Sequence, residues 1–566
     1  MFFSVILFMF LINIDFYKQA YAAPVVPPAA DALRFQEERD KLLPKDFQPE
    51  ITQEIKPAII LSQAVPENAG EIVFELKDLQ IEGLEVYDVK KFLKLWREDI
   101  GQTISLAKVY DIASRITAEY RNDGYFLSRA YVPAQTIDDG IVKISVIEGY
   151  ISVIDFAGEL PSSAILENFH EKILTARPLN IKTLERQMLL LNDFPSIRFR
   201  TVLKTLSAED DSSIVLALIG ESKDTGVRSF VSYDNSGSRY IGPSIVNARF
   251  SFAGGDIIPE FHETTLSLSA TPDSSELGSI SLTHKLPLTF NGLNLSLSAG
   301  YLEGAPGFDL TVNEVRSKTV SLGAEIIWDA VRLRTENTRF KLGFDLKDSQ
   351  TDILGAPLSR DHIRSLKFHA HRDWQDSYRG FTTLEAIVSK GLSIAGASKT
   401  GDTNLSRAEG RPDFLRLEAS AYRLQNITGP WNIQLGFSGQ LTGSPLLSSQ
   451  QFGYGGQSFG RAYDGSEITG DKGAAVMAEL RYEQAGFLEK YHLQHFLFQD
   501  YGKVWNLDAS AIEQSAGSLG IGTRLRTPTG INASLTLAQP LILEAATPQM
   551  GSATSPRLLF SASSNF

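Results

Sequence analysis

Short runs that alternate apolar with polar residues fill the chain from residue 224 to Phe566, where helical periodicity is absent. Residues 266–269 (LSLS), 293–298 (LNLSLS) and 340–346 (FKLGFDL) show the pattern. Alternation places apolar side chains on one face of each strand and polar side chains on the other. A barrel with lipid outside and water inside has this arrangement, whereas the strands of stacked soluble sheets carry longer buried runs. The pattern favours a transmembrane barrel over a soluble β-sandwich, the alternative.

The length of this region limits the number of strands. At about 10 residues per spanning strand plus turns, residues 223–566 suit about 14–18 strands. The last strand carries Leu558, Phe560 and Ala562 on one face, and the chain ends on Phe566. An aromatic residue in this place is typical of the membrane interface.

The first residues are typical of an export signal. Residues 2–14 form an apolar run that is too short to span a membrane, and Ala20-Tyr21-Ala22 follows it. Small residues at these positions predict a signal peptide over residues 1–22. The first basic residue, Lys18, follows the apolar run instead of preceding it, and a buried N-terminal segment is the alternative. No later stretch approaches 18 uninterrupted apolar residues, so membrane insertion would require a closed barrel.

Residues 23–43 form an N-terminal segment that contains one predicted helix, residues 29–43. Charges surround most of that helix, so it lies either in bulk water or in a water-filled channel. Residues 44–70 contain four prolines and little periodicity, which predicts a linker.

Two copies of one small α+β module follow, over residues 71–149 and 150–222. Each has the order strand, helix, helix, strand, strand. The predicted fold is therefore two α+β modules followed by an all-β antiparallel barrel over residues 223–566. The elements predicted are 74–81, 86–96, 106–120, 125–132 and 141–147 in the first copy, and 151–156, 163–174, 181–191, 197–203 and 213–218 in the second.

Composition excludes several classes of function. The formal net charge is −13, which argues against a nucleic-acid partner, and the absence of cysteine excludes thiol chemistry and thiolate metal sites. Two pairs of histidines lie close in sequence, His369 with His371 and His492 with His495, and we interpret them as ordinary polar residues without a metal. Residues 456–460 match Gly-x-Ser-x-Gly but lie in a glycine-rich loop, not in a strand-to-helix turn. The sequence thus predicts no enzyme, no cofactor and no metal.

Several stretches resemble one known family, the outer-membrane transporters of two-partner secretion (hemolysin activation/secretion proteins). They are residues 124–135 (GYFLSRAYVPAQ), 189–195 (LLLNDFP) and 234–237 (DNSG). The resemblance covers nearly the whole chain after the predicted signal peptide. It implies a plug helix, a linker, two periplasmic POTRA modules and a barrel of 16 strands in the outer membrane of a Gram-negative bacterium.

Two further motifs carry the resemblance into the barrel. Residues 455–464 (GGQSFGRAYD) resemble the loop after barrel strand eleven, which folds back into the barrel, and residues 498–502 (FQDYG) resemble a motif on the inner wall. The resemblance implies that Arg461 pairs with Asp500; a guanidinium can bond a carboxylate bidentately and so hold a loop. The alternative is an extracellular loop charge and an unrelated strand Asp. The remaining motif residues are Phe459, Gly460, Tyr463 and Asp464 in the loop, and Phe498 and Gly502 on the wall.

Ala462 departs from the family, which usually has Gly at this position. If the position needs a positive φ, alanine would cost about 1 kcal/mol there.

The function that the resemblance implies is export of one unfolded partner exoprotein through the barrel. The first module would offer a free strand edge at residues 127–132 for β-augmentation. Leu127, Arg129 and Tyr131 would then face the substrate, although they fit a module core equally well.

The resemblance also implies the partners. They are a secreted TpsA-like protein, outer-membrane lipid, periplasmic chaperones and the barrel-assembly machinery, for which Phe566 would be part of the membrane-insertion signal. The alternative function is an assembly factor that inserts other barrel proteins, but such relatives usually carry three or more POTRA modules. A passive porin is harder to reconcile with these modules.

Overall fold

The computed structural model describes most of the chain after residue 62 and a short segment before it. The predicted signal peptide (residues 1–22) and most of the predicted linker lie outside the described residues. Within the described part, no helix is both long and apolar enough to cross a membrane. The described residues are 26–34, 36–37, 63–137, 139–158, 163–194, 197–205, 213–222, 227–254, 258–272, 276–484, 490–508, 513–544 and 555–566.

Module 1, which we define as residues 71–149, packs one long helix against a three-stranded sheet of order β2-β5-β4. Strands β2 and β5 are parallel, and β4 is antiparallel to β5 at the sheet edge. Val109, Ile112 and Ile116 recur at helical spacing and are fully buried. The elements are β1 (Val73–Glu75), β2 (Asp78–Glu82), β3 (Thr103–Ser105), α1 (Leu106–Asn122), β4 (Arg129–Tyr131) and β5 (Ile141–Ile147).

The helix predicted over residues 86–96 is wrong. The chain forms three short 3₁₀ turns, Val89–Lys91, Leu93–Leu95 and Arg97–Asp99. An isolated helix of this length is marginal, and here burial of two aromatic side chains, Phe92 and Trp96, determines the path of the chain.

Module 2, residues 150–222, repeats the architecture with the sheet order β6-β8-β7. Asn180 caps the second helix by accepting a hydrogen bond from the backbone N–H of Lys182. The elements are β6 (Tyr150–Gly158), α2 (Ser163–Leu174), α3 (Ile181–Asn192), β7 (Ile197–Thr205) and β8 (Ser213–Ser222).

Sixteen antiparallel strands close into a barrel, in which the last strand, β26, pairs with the first, β9. The predicted sixteen-stranded barrel is confirmed. The barrel strands are β9 (Arg228–Asp234), β10 (Ile245–Ala253), β11 (Glu263–Ala270), β12 (Leu277–Thr289), β13 (Leu293–Gly304), β14 (Arg316–Arg332), β15 (Glu336–Ile353), β16 (Ala356–Gln375), β17 (Gly380–Gly391), β18 (Leu415–Thr428), β19 (Trp431–Thr442), β22 (Lys472–Gln484), β23 (His492–Trp505), β24 (Gln514–Arg526), β25 (Asn532–Glu544) and β26 (Arg557–Asn565). Two short strands, β20 (Phe452–Tyr454) and β21 (Ile468–Gly470), form a ribbon inside the loop between β19 and β22.

The outer face of the barrel is apolar and exposed, as alternation predicts. Leu282, Leu322 and Phe368 are each close to half exposed. Because water would oppose so large an apolar surface, this face fits the interior of a bilayer.

Module 2 is attached to one end of the barrel. Asp193 accepts two hydrogen bonds from Arg332, at 2.9 and 2.6 Å, and Glu185 pairs with Arg334 at 3.4 Å. Phe194 lies edge-on to the ring of Phe261, with ring centroids 4.9 Å apart. Arg332 and Arg334 border the short turn between β14 and β15, so this end of the barrel faces the modules.

Module 1 is attached to module 2. The backbone N–H of Ile181 donates to the carbonyl of Gly124 at 2.8 Å, and the Asn180 side chain donates to the carbonyl of Asp123 at 2.9 Å. Leu127 of module 1 is buried in the core of module 2 with Ile151. Module 1 therefore contributes a side chain to the hydrophobic core of module 2, while most of its own core is separate.

Candidate functional site

The loop that follows the eleventh barrel strand, residues 443–471, folds into the barrel; we call it the lumen loop. Its residues Tyr454, Phe459 and Tyr463 are buried in one cluster with wall residues that include Met477 and Phe498. The loop therefore occupies space that an open channel would leave to water.

Arg461 pairs with Glu479, not with Asp500 as predicted. The Arg461 Nη1 donates to the Glu479 Oε2 at 2.6 Å. Glu479 is fully buried on β22 and also accepts hydrogen bonds from Arg481 and Arg524, at 2.7 Å each. Three guanidinium groups thus surround one carboxylate, which gives Arg461 a strong partner in place of the predicted one.

Asp500 binds the loop through the hydroxyl group of Tyr454 and also accepts a hydrogen bond from the barrel wall. Its Oδ1 accepts a hydrogen bond from the Tyr454 hydroxyl and another from Ser518, both at 2.6 Å. The loop is therefore bonded by two separate carboxylates, Glu479 at Arg461 and Asp500 at Tyr454.

The wall motif also makes two contacts that involve aromatic rings. The guanidinium of Arg461 lies over the Phe498 ring, 4.2 Å from its centroid, which is a cation–π distance. A Cβ at Gly502 would lie 2.1 Å from the ring of Tyr454, so only glycine fits below that ring. Phe498, Asp500 and Gly502 alternate on β23 and all face the loop.

The far side of the loop tip is bonded to the start and the end of the barrel. The Tyr463 hydroxyl donates to the carbonyl of Gly517 at 2.8 Å, and the fully buried Asp464 lies 3.4 Å from Arg557 and 3.8 Å from Arg239. Since Arg557 is on the last strand and Arg239 follows the first, this carboxylate links the loop to the place where the barrel closes.

Ala462 is compatible with the loop. It is not among the residues with positive φ, whereas Gly460 has a φ of 79°. The predicted conformational cost of alanine is therefore absent, and the backbone reversal is made by the neighbouring glycine.

The N-terminal segment, which we define by its described residues 26–34 and 36–37, also lies inside the barrel. Ser238 donates to the carbonyl of Ala29 at 2.7 Å, and Arg34 donates to the carbonyl of Gln451 in the lumen loop at 3.0 Å. Ala29, Ala30 and Ala32 are buried in an apolar cluster with barrel residues. Residues 38–43 of the predicted helix lie outside the described residues.

The strand edge predicted for substrate is not free. Gln63, just before module 1, donates to the carbonyl of Val132 and accepts from its N–H, both at 2.8 Å. The N–H and the carbonyl of Ala130 are bonded to Thr117 of α1. Side chains thus take the bonds that an added strand would make.

The predicted substrate residues on this edge differ from one another. Leu127 is only 1% exposed and belongs to the core between the modules, so its assignment to substrate binding is wrong. Arg129 and Tyr131 are partly exposed on β4.

Sequence reasoning missed Glu479, Arg524, Arg239 and Gln63. Glu479 and Arg524 are charged residues at inward positions of alternating strands, which is a detectable signal of lumen chemistry. The loop residue that each of them contacts depends on how the loop folds across the barrel. Neither the spacing of residues nor the composition predicts such contacts.

Comparison with known proteins agrees with the geometry. A closed antiparallel barrel with an apolar outer face, preceded by α+β modules, defines an outer-membrane barrel protein with periplasmic modules. Residues 211–525 match the haemolysin secretion/activation proteins ShlB/FhaC/HecB, and residues 74–149 match the ShlB-type POTRA domain. Because the first match covers more than half of the chain, the chain belongs to this family of two-partner secretion transporters.

Individual relatives have low sequence identity to the chain, but their matches extend over most of its length. The heme/hemopexin transporter protein HuxB of Haemophilus influenzae (strain 86-028NP) is 23% identical over 453 residues, which is 76% of each chain. The outer membrane transporter CdiB of Dickeya dadantii (strain 3937) is 21% identical over 447 residues, or 74% of each.

Solved structures share the fold. CdiB from Escherichia coli superposes with a TM-score of 0.71 at 16% identity, covering 97% of this chain and all of that one. CdiB from Acinetobacter baumannii gives a TM-score of 0.64 at 15% identity, with the same coverage. Because the chain belongs to the family that its sequence matches, its modules lie in the periplasm and its barrel lies in the outer membrane.

Proposed function

We propose that the chain exports one unfolded, TpsA-like partner protein through its barrel, and that the lumen loop and the N-terminal segment must rearrange during export. The observation that carries this proposal is the double occupancy of the lumen, where both segments pack in small apolar clusters and are also bonded through polar contacts. Polar contacts in a wet lumen can be exchanged for contacts with a passing chain.

The loop attachment is tested by secretion assays on charge variants. Arg461→Ala should reduce secretion strongly while binding of the exoprotein to module 1 stays intact. Glu479→Gln should have an effect at least as large, since it leaves three arginines without their carboxylate, and breaking a buried pair typically costs about 3–5 kcal/mol. Arg461→Lys should restore secretion only in part, because an ammonium group lacks the planar fork of the guanidinium.

Double variants separate the two attachments. Arg461→Ala and Glu479→Gln remove the same bond, so their combined effect should fall short of the sum. Arg461→Ala and Asp500→Asn remove different bonds and should be closer to additive. The reverse ranking would show that Arg461 acts through Asp500 and would overturn our assignment of its partner.

We propose that the N-terminal segment is a plug for the resting channel. Deletion of residues 29–43 should raise single-channel conductance in planar bilayers while the barrel remains folded and heat-modifiable on gels. Conductance equal to that of the unaltered protein would contradict the plug. A control deletion within the linker, residues 45–50, should leave conductance unchanged.

We propose that substrate recognition uses the edge of β4 after Gln63 has been displaced. The partly exposed Arg129 and Tyr131 would then contact substrate side chains, and the backbone of Val132 would pair with the added strand. We propose further that periplasmic chaperones and the barrel-assembly machinery deliver the chain itself to the membrane, with Phe566 as part of the signal.

A further inference from the structure

Two histidines and one glutamate converge on the lumen wall, away from the loop. His369 and His371 alternate on β16 and face inward, and Glu385 on β17 lies directly opposite His371 in the register. One ligand atom from each of the three residues lies within 4.8 Å of the others. Sequence spacing revealed the two histidines but not the glutamate, which the pairing of neighbouring strands adds.

The three side chains already bond to one another and to neighbouring residues. His371 Nε2 lies 3.2 Å from Asp373 Oδ2, and because a carboxylate accepts hydrogen bonds we assign the proton to Nε2, which gives Nδ1 the role of metal ligand. His369 Nε2 lies 2.7 Å from Glu385 Oε1 as an ion pair, so a metal ion would take the place of the proton between these two atoms. Ser420 donates to the other oxygen, Glu385 Oε2.

The second shell resembles that of a metal centre. Metal-binding histidines usually donate their other ring N–H to a carboxylate, and Asp373 takes this place for His371. Asp373 is itself held by Asn337, which donates to it at 2.9 Å.

Charged neighbours do not oppose a cation here. Lys341 and Arg339 lie opposite the two histidines on β15. Each has its own carboxylate, Glu325 at 3.7 Å from Lys341 and Asp329 at 2.6 Å from Arg339.

We propose that His369, His371 and Glu385 bind a divalent transition-metal ion such as Zn²⁺ in the part of the lumen nearest the modules. Two imidazole nitrogens and one carboxylate oxygen suit zinc and its neighbours better than Mg²⁺ or Ca²⁺, which prefer oxygen ligands. The side chains are partly exposed to the lumen, so an ion can enter from water. The bound ion would join β16 to β17 near the entrance.

Isothermal titration with ZnCl₂ of the full-length protein in detergent, treated first with a chelator, tests the site. Unaltered protein should bind one Zn²⁺ ion per protein molecule. Co²⁺ bound in its place should give the visible absorption of a low-symmetry site. His371→Ala and Glu385→Gln should each lower the association constant at least tenfold. Asp373→Asn should lower it by about 10-fold or more through the orientation of His371.

Matched controls use histidines elsewhere in the barrel. His495 has both ring nitrogens within 2.8 Å of a partner, so His495→Ala should leave zinc binding unchanged. His284→Ala tests the other close pair, His262 and His284, whose ring nitrogens are 3.1 Å apart. The proposal is overturned if the unaltered protein binds no zinc, if Glu385→Gln binds as tightly as the unaltered protein, or if His284→Ala abolishes the signal.

Discussion

The two modules share one fold but differ in the part of the molecule to which each is bonded. Module 2 is bonded to the barrel by Asp193 and Glu185 and by an aromatic cluster around Phe194. The contacts described for module 1 go to module 2 and to Gln63. The difference indicates that module 2 is a base fixed to the barrel, whereas module 1 is an arm, and the sheet edge of this arm is the one that we propose for substrate binding.

The largest effect should come from the junction between arm and base. Leu127→Ala removes a side chain that is buried in the core of module 2 and should cost about 2–5 kcal/mol. Hydrogen exchange of the full-length protein should then rise in both modules. In the control, Leu76→Ala in the separate core of module 1, faster exchange should be confined to module 1. Faster exchange in module 2 after Leu76→Ala would show that the two cores are not independent.

A smaller effect should follow when the base is released. Asp193→Asn with Glu185→Gln removes two partly exposed ion pairs, worth about 1 kcal/mol each, so the undocked fraction should rise about 30-fold. Secretion should fall, and exchange should quicken in α3, while the exoprotein still binds. Glu82→Gln removes an exposed pair within module 1 and should change neither readout. Unchanged exchange in α3 would show that the ion pairs do not hold the base.

A still smaller effect concerns the covered edge of the arm. Gln63→Leu removes two neutral hydrogen bonds between an exposed side chain and Val132, worth about 0.5 kcal/mol each, and should therefore raise exoprotein affinity about fivefold. Gln63→Glu keeps the acceptor but loses the donor and should give an intermediate affinity in fluorescence anisotropy titrations. Weaker binding after Gln63→Leu would mean that Gln63 contacts substrate instead of covering the edge.

The smallest effect is a pH dependence within the arm. Hydrogen bonds from Lys91 and from Tyr87 lower the pKa of Asp123 below its ordinary value. A lowered folded-state pKa stabilises module 1 above the unfolded-state pKa, and this contribution is lost as the pH falls through the folded-state value. Urea midpoints between pH 5 and pH 2, from the fluorescence of Trp96 with the other tryptophans replaced by Phe, should fall more than in Lys91→Met. An equal change of the urea midpoint with pH in both proteins would show that the bond between Lys91 and Asp123 does not cause the pH dependence.

Local sequence patterns predict much of this architecture, but they do not predict which residues meet across the lumen. The alternation after residue 224 is sufficient to predict the barrel, because the sequence of each strand shows which of its faces is apolar and which is polar. Arg461 was recognised, but its partner was not, since Glu479 reaches it only after the loop folds inward. The edge of β4 was predicted to be free because nothing in a proline-rich linker indicates that Gln63 will meet Val132.

Because the barrel strands differ in length, the outer rim of the barrel is higher on one side than on the other. Strands β15 and β16 contain 18 and 20 residues, and about 10 suffice to span the membrane. The turn between β14 and β15 meets module 2, so the surplus of about 8–10 residues per strand projects on the opposite side, into the medium. An exported segment that leaves the lumen therefore meets a pleated wall on one side and open water on the other, and its direction of departure is biased before it begins to fold.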